Sequence, residues 1–219
     1  MSHSIDLSTR RFLKVAAAGA VALAAGCATR DPSQPPEEGF EYRAAGPWPT
    51  ESGGKLEVAE FFWYGCPFCN VFEPVLKDWI KRQPSDVVLR KVHPAVNRSW
   101  EPHSRLFYSL EAMGKVEELN ERVFFAMHSG GMSMERRDEI ANWAAGEGLD
   151  RARFLQAYDS GEVRAKMDKA TAMAKAFKLD GVPALAVNGK WFTAPHMTGT
   201  RENALRVVEY LLARERRGG

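Results

Sequence analysis

The sequence predicts an α/β fold in which a helical insertion interrupts a sheet. Two apolar strand patterns, at residues 55–63 and 87–92, flank a segment with helical spacing, and this order is typical of a right-handed parallel unit. Near the C-terminus, Asn188-Gly189 between two apolar runs predicts a β-hairpin. Residues 98–160 carry only helical patterns punctuated by glycines, so they form the predicted insertion.

The first 27 residues are predicted to be an export signal. Arg10, Arg11 and Lys14 precede a short apolar stretch at 15–25, which is too short to span a bilayer. Residues 8–14, Ser-Thr-Arg-Arg-Phe-Leu-Lys, resemble a twin-arginine signal that lacks one residue before its apolar pair, and an ordinary basic signal is the alternative.

Two processing routes stay open at Cys27. Residues 24–27, Ala-Ala-Gly-Cys, resemble a lipoprotein processing site, whereas residues 22–24, Ala-Leu-Ala, fit ordinary signal peptidase. Acylation of Cys27 would remove an unpaired thiol from a disulfide-forming compartment. Lipidation of Cys27, and a lipid anchor there, is therefore a hypothesis.

Residues 28–54 hold five prolines and scattered charge, and they are predicted to be a flexible tether without an element of its own. The strand pattern that follows has two mostly apolar faces, as in a covered sheet. Strand parity places Glu60 on the same face as Leu56, Val58 and Phe62. A carboxyl buried there should have a raised pKa.

The next strand pattern, at 87–92, follows the helix, and the insertion then carries four helices. The last of these four is predicted to begin after Asp150, a good N-cap residue. Another helix, at 163–177, leads into the hairpin. Pro183 at the start of the hairpin suits an edge strand, but it also suits a cis bond held beside a functional site, and the residues alone leave both open.

Cys66-Pro67-Phe68-Cys69 lies where the first strand ends and the helix begins. At a helix N-terminus the free backbone N–H groups and the macrodipole favour negative charge, so Cys66 should ionise more easily than a free thiol. A disulfide whose reduced form gains a stabilised thiolate is easily reduced and is a good oxidant. The motif therefore predicts redox chemistry.

Two other interpretations of the cysteines carry less weight. A zinc site needs two more ligands, and only His93 and His103 could supply them. A structural disulfide is disfavoured because Pro67 in the first helical turn is typical of redox motifs. The overall charge gives no indication of nucleic acid binding, because beyond residue 27 basic and acidic side chains balance.

Residues 61–69, Phe-Phe-Trp-Tyr-Gly-Cys-Pro-Phe-Cys, together with Gly181-Val182-Pro183-Ala184 and the intervening helices, resemble the DsbA-type periplasmic thiol:disulfide interchange proteins. The resemblance runs from about residue 55 to the C-terminus. It implies a thioredoxin fold with an inserted all-helical domain, with the thioredoxin-like part at 55–97 and 161–219 and the insertion at 98–160. It also implies a cis bond before Pro183 that faces the cysteines.

The resemblance assigns roles to individual residues. Cys66 would be the exposed sulfur attacked by a substrate thiolate, and Cys69 would be its buried partner. Val182 and Pro183 would present the backbone that pairs with an extended substrate. Phe68 departs from the pattern, because many strong oxidants of this family place a histidine there, and we expect a less oxidising couple.

Glu60, Glu73 and Lys91 match charged positions that surround the active site in this family. Two roles are open for Glu60. It could assist proton transfer at Cys69, or it could form a salt bridge with Lys91.

The resemblance implies a periplasmic enzyme that donates its disulfide to reduced exported proteins and is reoxidised by a DsbB-like membrane protein. It implies no cofactor other than the Cys66–Cys69 disulfide and no metal, and we expect a monomer. A thioredoxin-like reductase or isomerase is one alternative, although the tether is too short to be a separate dimerisation domain. A non-catalytic lipoprotein that binds peptides or metal is the other.

Overall fold

A five-stranded mixed sheet forms the centre of the computed structural model, which describes residues 34–218. The strand order is β1-β5-β4-β2-β3, and β2 pairs parallel with β3 and antiparallel with β4. The parallel pair and the C-terminal hairpin are confirmed. The strands are β1 (Arg43–Ala44), β2 (Leu56–Phe61), β3 (Val87–Val92), β4 (Ala184–Val187) and β5 (Trp191–Thr193).

The helices cover both faces of this sheet and form the insertion between β3 and β4. They are α1 (Pro67–Lys81), α2 (Glu101–Ala112), α3 (Val116–His128), α4 (Arg137–Gly146), α5 (Arg151–Tyr158), α6 (Gly161–Ala176), α7 (Pro195–Thr198) and α8 (Arg201–Arg216). Asp150 is the N-cap of α5 as predicted, because its carboxylate accepts the backbone N–H of Arg153. None of the helices within residues 34–218 has the length and apolar character needed to cross a bilayer.

Two apolar clusters bury the two faces of the sheet, as the strand patterns predicted. Successive residues of a strand point to opposite faces, so Ala184 and Ala186 pack toward the insertion while Leu185 and Val187 pack toward α1 and α8. The cluster on the insertion side is rich in aromatic rings, and Phe62 lies at its centre in contact with Tyr64, Phe107 and Phe124. The active-site loop therefore rests on a rigid aromatic layer.

The prediction of a tether without its own elements is wrong for the part of 28–54 that the structure describes. Arg43–Ala44 is an edge strand paired antiparallel with β5, and the Tyr42 side chain is buried. The backbone N–H of Trp48 donates to the carbonyl of Gly189 at the hairpin turn. A two-residue strand between prolines is too short to show periodicity, so only pairing with the hairpin edge reveals it.

The turn residues explain why the hairpin closes here. Asn188 and Gly189 both have positive φ, 50° and 67°, as the Asn-Gly sequence predicted. A Cβ at Gly189 would lie 2.0 Å from the Trp48 carbonyl oxygen, so only glycine lets the N-terminal segment approach.

The boundaries of the insertion stay predictions. Residues 34–218 belong to a single compact unit, and α6, which the prediction places in the thioredoxin-like part, packs against α2 and α5. The predicted signal at 1–27, its Cys27 and residues 28–33 lie outside the described residues.

Candidate active site

Cys66 is the N-cap residue of α1, with extended backbone angles (φ −86°, ψ 117°) and Pro67 in the first helical position. Its pKa is lowered to about 6, first because the Cys69 thiol donates a hydrogen bond to its sulfur, and further because the backbone N–H groups of Cys69 and Phe68 point at it. Burial opposes this effect but does not outweigh it. The helix N-terminus therefore stabilises a Cys66 thiolate as the sequence predicted.

The second cysteine is in the opposite situation. Cys69 is fully buried, and burial raises the pKa of its thiol well above the ordinary value, with the nearby charges of Cys66 and Glu60 acting in the same direction. Two sulfurs one helical turn apart therefore differ sharply in acidity.

Cys66 is less exposed than we expected. Its side chain is only 6% exposed, whereas Phe68 next to it is 70% exposed. The cover comes from the loop before β4, because the Val182 carbonyl oxygen lies 3.4 Å from the Cys66 sulfur and accepts its S–H. The Val182 carbonyl therefore covers part of the Cys66 sulfur.

The Val182–Pro183 peptide bond is cis, and its loop faces the cysteines as the resemblance implied. Beside it is an open groove of about 650 Å³. Phe68 and Val71 form one wall, and the start of α8, including Thr200 and Arg201, forms another. Sequence analysis missed this second wall, because no local pattern shows that α8 begins beside the cysteines.

Glu60, Glu73 and Lys91 form one buried charge cluster. Glu60 and Lys91 are paired across the parallel strands β2 and β3, and Glu73 approaches from α1. The Lys91 ammonium lies 2.7 Å from Glu60 Oε2 and 2.6 Å from Glu73 Oε2. The salt bridge expected as one alternative for Glu60 is therefore present.

Burial dominates the titration of this cluster. It raises the pKa of Glu60 to about 7, with Lys91 acting against the shift and Glu73 adding to it. Burial alone would lower the pKa of Lys91, but the two carboxylates outweigh it and raise that pKa. A carboxyl that titrates near neutral pH thus lies close enough to Cys69 to affect its acidity.

The structure adds two buried polar residues that sequence analysis missed, Tyr64 and Asn120. The Tyr64 hydroxyl donates to Asn120 Oδ1 at 2.8 Å, and Asn120 Nδ2 donates to Glu73 Oε1 at 2.8 Å. Asn120 belongs to α3 of the insertion. The available signal was an asparagine between Leu119 and Val123, on the apolar face of a predicted helix.

His128, also on α3, was missed as well. Its Nε2–H donates to the backbone carbonyl of Tyr64 at 2.8 Å, and its ring stacks with Phe124. Its charge acts in the direction that lowers the pKa of Cys66. The insertion therefore supplies an imidazole near the active site, although the motif itself has none.

The two histidines considered as zinc ligands have other partners. His93 Nε2 accepts the Tyr64 backbone N–H at 3.3 Å, and burial lowers the pKa of His93 to about 3. His103 Nδ1 accepts the indole N–H of Trp63 at 2.7 Å. Between residues 34 and 218, no three potential ligating side chains are grouped as a metal site would need.

Comparisons with known proteins identify the family. The family model of the DSBA-like thioredoxin domain matches residues 86–204. The thiol:disulfide interchange protein DsbA of Azotobacter vinelandii is 40% identical over 168 residues, which are 77% of this chain and 78% of that protein. This chain belongs to the DsbA family. It is a thiol:disulfide interchange enzyme with a DsbA-like thioredoxin fold, as the resemblance implied.

Other relatives and solved structures agree. DsbA of Pseudomonas aeruginosa is 36% identical over 179 residues, 81% of this chain and 85% of that protein. Its crystal structure superposes with a TM-score of 0.79 and 35% identity, covering 83% of this chain and 95% of that one. The crystal structure of DsbA from Xylella fastidiosa superposes with a TM-score of 0.78 and 30% identity, covering 84% of this chain and 100% of that one.

Proposed function

We propose that this DsbA-family enzyme donates the Cys66–Cys69 disulfide to reduced exported proteins in the periplasm and is then reoxidised by a DsbB-like membrane protein. The observation that carries the proposal is the difference in acidity between the two sulfurs. A pKa of about 6 at Cys66 makes its thiolate a good leaving group, and an easily reduced disulfide is a good oxidant. The disulfide is the only redox group the reaction needs.

The reaction has two steps that balance electrons and protons. A substrate thiolate attacks the Cys66 sulfur, the Cys66–Cys69 bond breaks, and Cys69 leaves as a thiolate that takes up a proton. The second substrate thiolate then attacks the substrate sulfur of the mixed disulfide, and Cys66 leaves as a thiolate. The substrate loses two electrons and two protons, and the enzyme retains one of these protons on Cys69.

Two sets of residues support substrate binding and thiolate formation in our proposal. Val182 and Pro183 pair with the extended substrate backbone beside the groove. Pro67 and Phe68 shape the helix N-terminus that holds the Cys66 thiolate, and Phe68 also contributes an apolar wall.

Glu60 supplies the proton that Cys69 takes up, with Lys91 and Glu73 holding it in place. A carboxyl with a pKa of about 7 is partly protonated near neutral pH, so it can give a proton to Cys69 and regain one from water. If Glu60→Gln leaves the pH profile of disulfide exchange unchanged, this role fails.

Export and anchoring form a separate part of the proposal. The enzyme reaches the periplasm through the signal at 1–27, is acylated at Cys27, and works as a monomer. Metabolic fatty-acid labelling tests the anchor, because label that is retained equally in wild type and Cys27→Ala excludes it.

The decisive experiment measures the direction of exchange. The oxidised enzyme, without residues 1–27, is mixed with a reduced synthetic peptide that carries two cysteines, and the mass of both partners is followed after alkylation. We expect one disulfide to pass to the peptide for each enzyme molecule, and Cys69→Ser, which cannot form the disulfide, to transfer none. When Cys69→Ser is mixed with the oxidised peptide instead, its Cys66 thiolate should attack the peptide disulfide and form a mixed disulfide.

A glutathione titration of the same protein gives the reduction potential of the Cys66–Cys69 couple. A potential near that of thioredoxin would favour the reductase or isomerase alternative over disulfide donation. An enzyme whose cysteines do not react at all would indicate a binding protein.

A further inference from the structure

The two carboxyl groups of the charge cluster have different hydrogen-bond partners. Glu73 Oε1 accepts from Asn120 Nδ2, and Glu73 Oε2 accepts from the Lys91 ammonium. Glu60 Oε2 also accepts from Lys91, but Glu60 Oε1 is buried and has no partner among residues 34–218. The cluster thus has one carboxyl whose two oxygens are both occupied and one with a free oxygen.

This difference decides where a proton fits. Each oxygen of Glu73 accepts one N–H hydrogen bond, and these two bonds stabilise its charged form, so a proton on Glu73 would weaken them. The free Oε1 of Glu60 can carry a proton without losing any partner. With a single ammonium between two buried carboxyls, the cluster favours holding one proton.

Tyr64 fixes the orientation of the amide on which this depends. Its hydroxyl donates to Asn120 Oδ1, and the Glu73 carboxylate can only accept, so both partners favour the orientation in which the Nδ2 group of Asn120 faces Glu73. Tyr64, Asn120 and Glu73 are all buried. The chain of hydrogen bonds therefore runs from Tyr64, beside the cysteine motif, through Asn120 of the insertion to Glu73 in the charge cluster.

We propose that Asn120 is a positioning residue for disulfide exchange, which keeps Glu73 as a carboxylate and so places the proton of the cluster on Glu60. This inference rests on the proposed role of Glu60 as proton donor to Cys69. When the Cys66–Cys69 bond breaks, the Cys69 thiolate takes the proton, Glu60 becomes a carboxylate, and water restores the proton afterwards.

Other charged groups near the cluster enter the test. From α1, Cys69 and Lys77 act on these carboxyls, and from β3 Lys91 does. The buried Tyr64 hydroxyl also senses both glutamates, which raise its pKa together with burial. Burial or ion pairing raises the pKa of Cys69, Lys77, Lys91 and Tyr64 above this range, so these groups should keep their protons between pH 5 and 8. Cys66, with its pKa lowered to about 6, titrates in the same window, so the carboxyl signal of each glutamate is followed separately.

The experiment follows each glutamate by NMR of ¹³C-labelled carboxyl groups in the reduced full-length enzyme, with Glu60→Gln and Glu73→Gln used for assignment. In wild type, we expect the titration step near neutral pH to appear in the Glu60 signal. In Asn120→Leu, at least half of its amplitude should move to the Glu73 signal, because coupled groups share a titration according to their relative stabilisation. Tyr64→Phe frees the amide and should give a smaller change in the same direction.

Asn142→Leu is the matched control, because Asn142 is an asparagine of the insertion whose side chain contacts Arg151 on the surface. It should leave the Glu60 signal as in wild type. A full Glu60 amplitude in Asn120→Leu, or in Tyr64→Phe if Asn120→Leu does not fold, overturns the inference. Failure of the wild-type enzyme to oxidise the peptide would instead contradict the proposed function, and the NMR titration would still report on Asn120.

Discussion

Replacing Phe68 with histidine is expected to make the Cys66–Cys69 couple more oxidising. The backbone N–H of residue 68 already points at the Cys66 sulfur, and we expect an imidazole at this position to be within reach of the thiolate. Its N–H or positive charge would stabilise the thiolate further, whereas the phenyl ring donates no hydrogen bond. Stabilising the reduced form raises the reduction potential.

The magnitude follows from the exposure of the side chain and the present acidity of Cys66. With a pKa of about 6 in place of 9.0, the thiolate already stabilises the reduced protein by about 1.4 kcal/mol at pH 7. Because residue 68 is 70% exposed, solvent screening limits the additional gain to about 1 kcal/mol. For a two-electron couple this corresponds to about 20 mV.

The assay equilibrates wild type, Phe68→His and Phe68→Leu in glutathione buffers at pH 7 and counts reduced molecules by alkylation and mass. The leucine variant is the control for loss of the aromatic ring, and its potential should stay near that of wild type. The ultraviolet absorbance of the thiolate, followed against pH, gives the Cys66 pKa of each variant, which should fall only in Phe68→His. A lower potential in Phe68→His would refute the reasoning.

Three further predictions concern stability. Between pH 7 and 8, the free energy of unfolding of the reduced protein should rise by about 1 kcal/mol relative to that of Cys66→Ser. The reason is that a thiol whose folded pKa is lowered contributes stability above its unfolded pKa and loses it as pH falls through about 6. Equal denaturant curves at both pH values would contradict this. His93, with its pKa lowered to about 3, should reduce the free energy of unfolding by about 3 kcal/mol between pH 7 and 4, because the unfolded chain binds the proton first. Urea unfolding of His93→Gln should therefore show a weaker pH dependence than that of wild type. Lys91→Met should lower the free energy of unfolding by about 3–5 kcal/mol, because it leaves the buried Glu60 without its cation. As a control, Lys77→Met at an exposed ion pair should lower it by less than about 1 kcal/mol. A similar loss in both variants would exclude this explanation.

Much of the fold was predictable because its signals are local. The second strand of the parallel pair has the predicted bounds, Val87–Val92, since most of its residues are β-branched or aliphatic and turn signals flank both ends. Asp150 caps its helix, and Asn188-Gly189 closes the hairpin, because each depends on a few neighbouring residues. The same holds for the lowered pKa of Cys66, which depends mainly on its own helix and on Cys69.

The short strand β1 and the cover over Cys66 were not predictable in this way. The strand Arg43–Ala44 exists only because the edge of the hairpin offers it hydrogen-bond partners about 150 residues later in the chain. Likewise, Cys66 is covered by the Val182 carbonyl, which belongs to a loop 116 residues away. Backbone pairing across such separations leaves no periodic mark on either segment.

The sequence by itself determined the redox motif, the strand that carries Glu60 and the helix that begins at the cysteines, because spacing and helix-end chemistry act over a few residues. Only the tertiary structure decided that Glu73 and Lys91 share one buried cluster with Glu60, and that Asn120 from the insertion hydrogen-bonds to it. The physical reason is that burial and hydrogen-bond partners depend on which elements of the chain pack together in the tertiary structure. A buried carboxyl acquires its titration behaviour from every element packed around it.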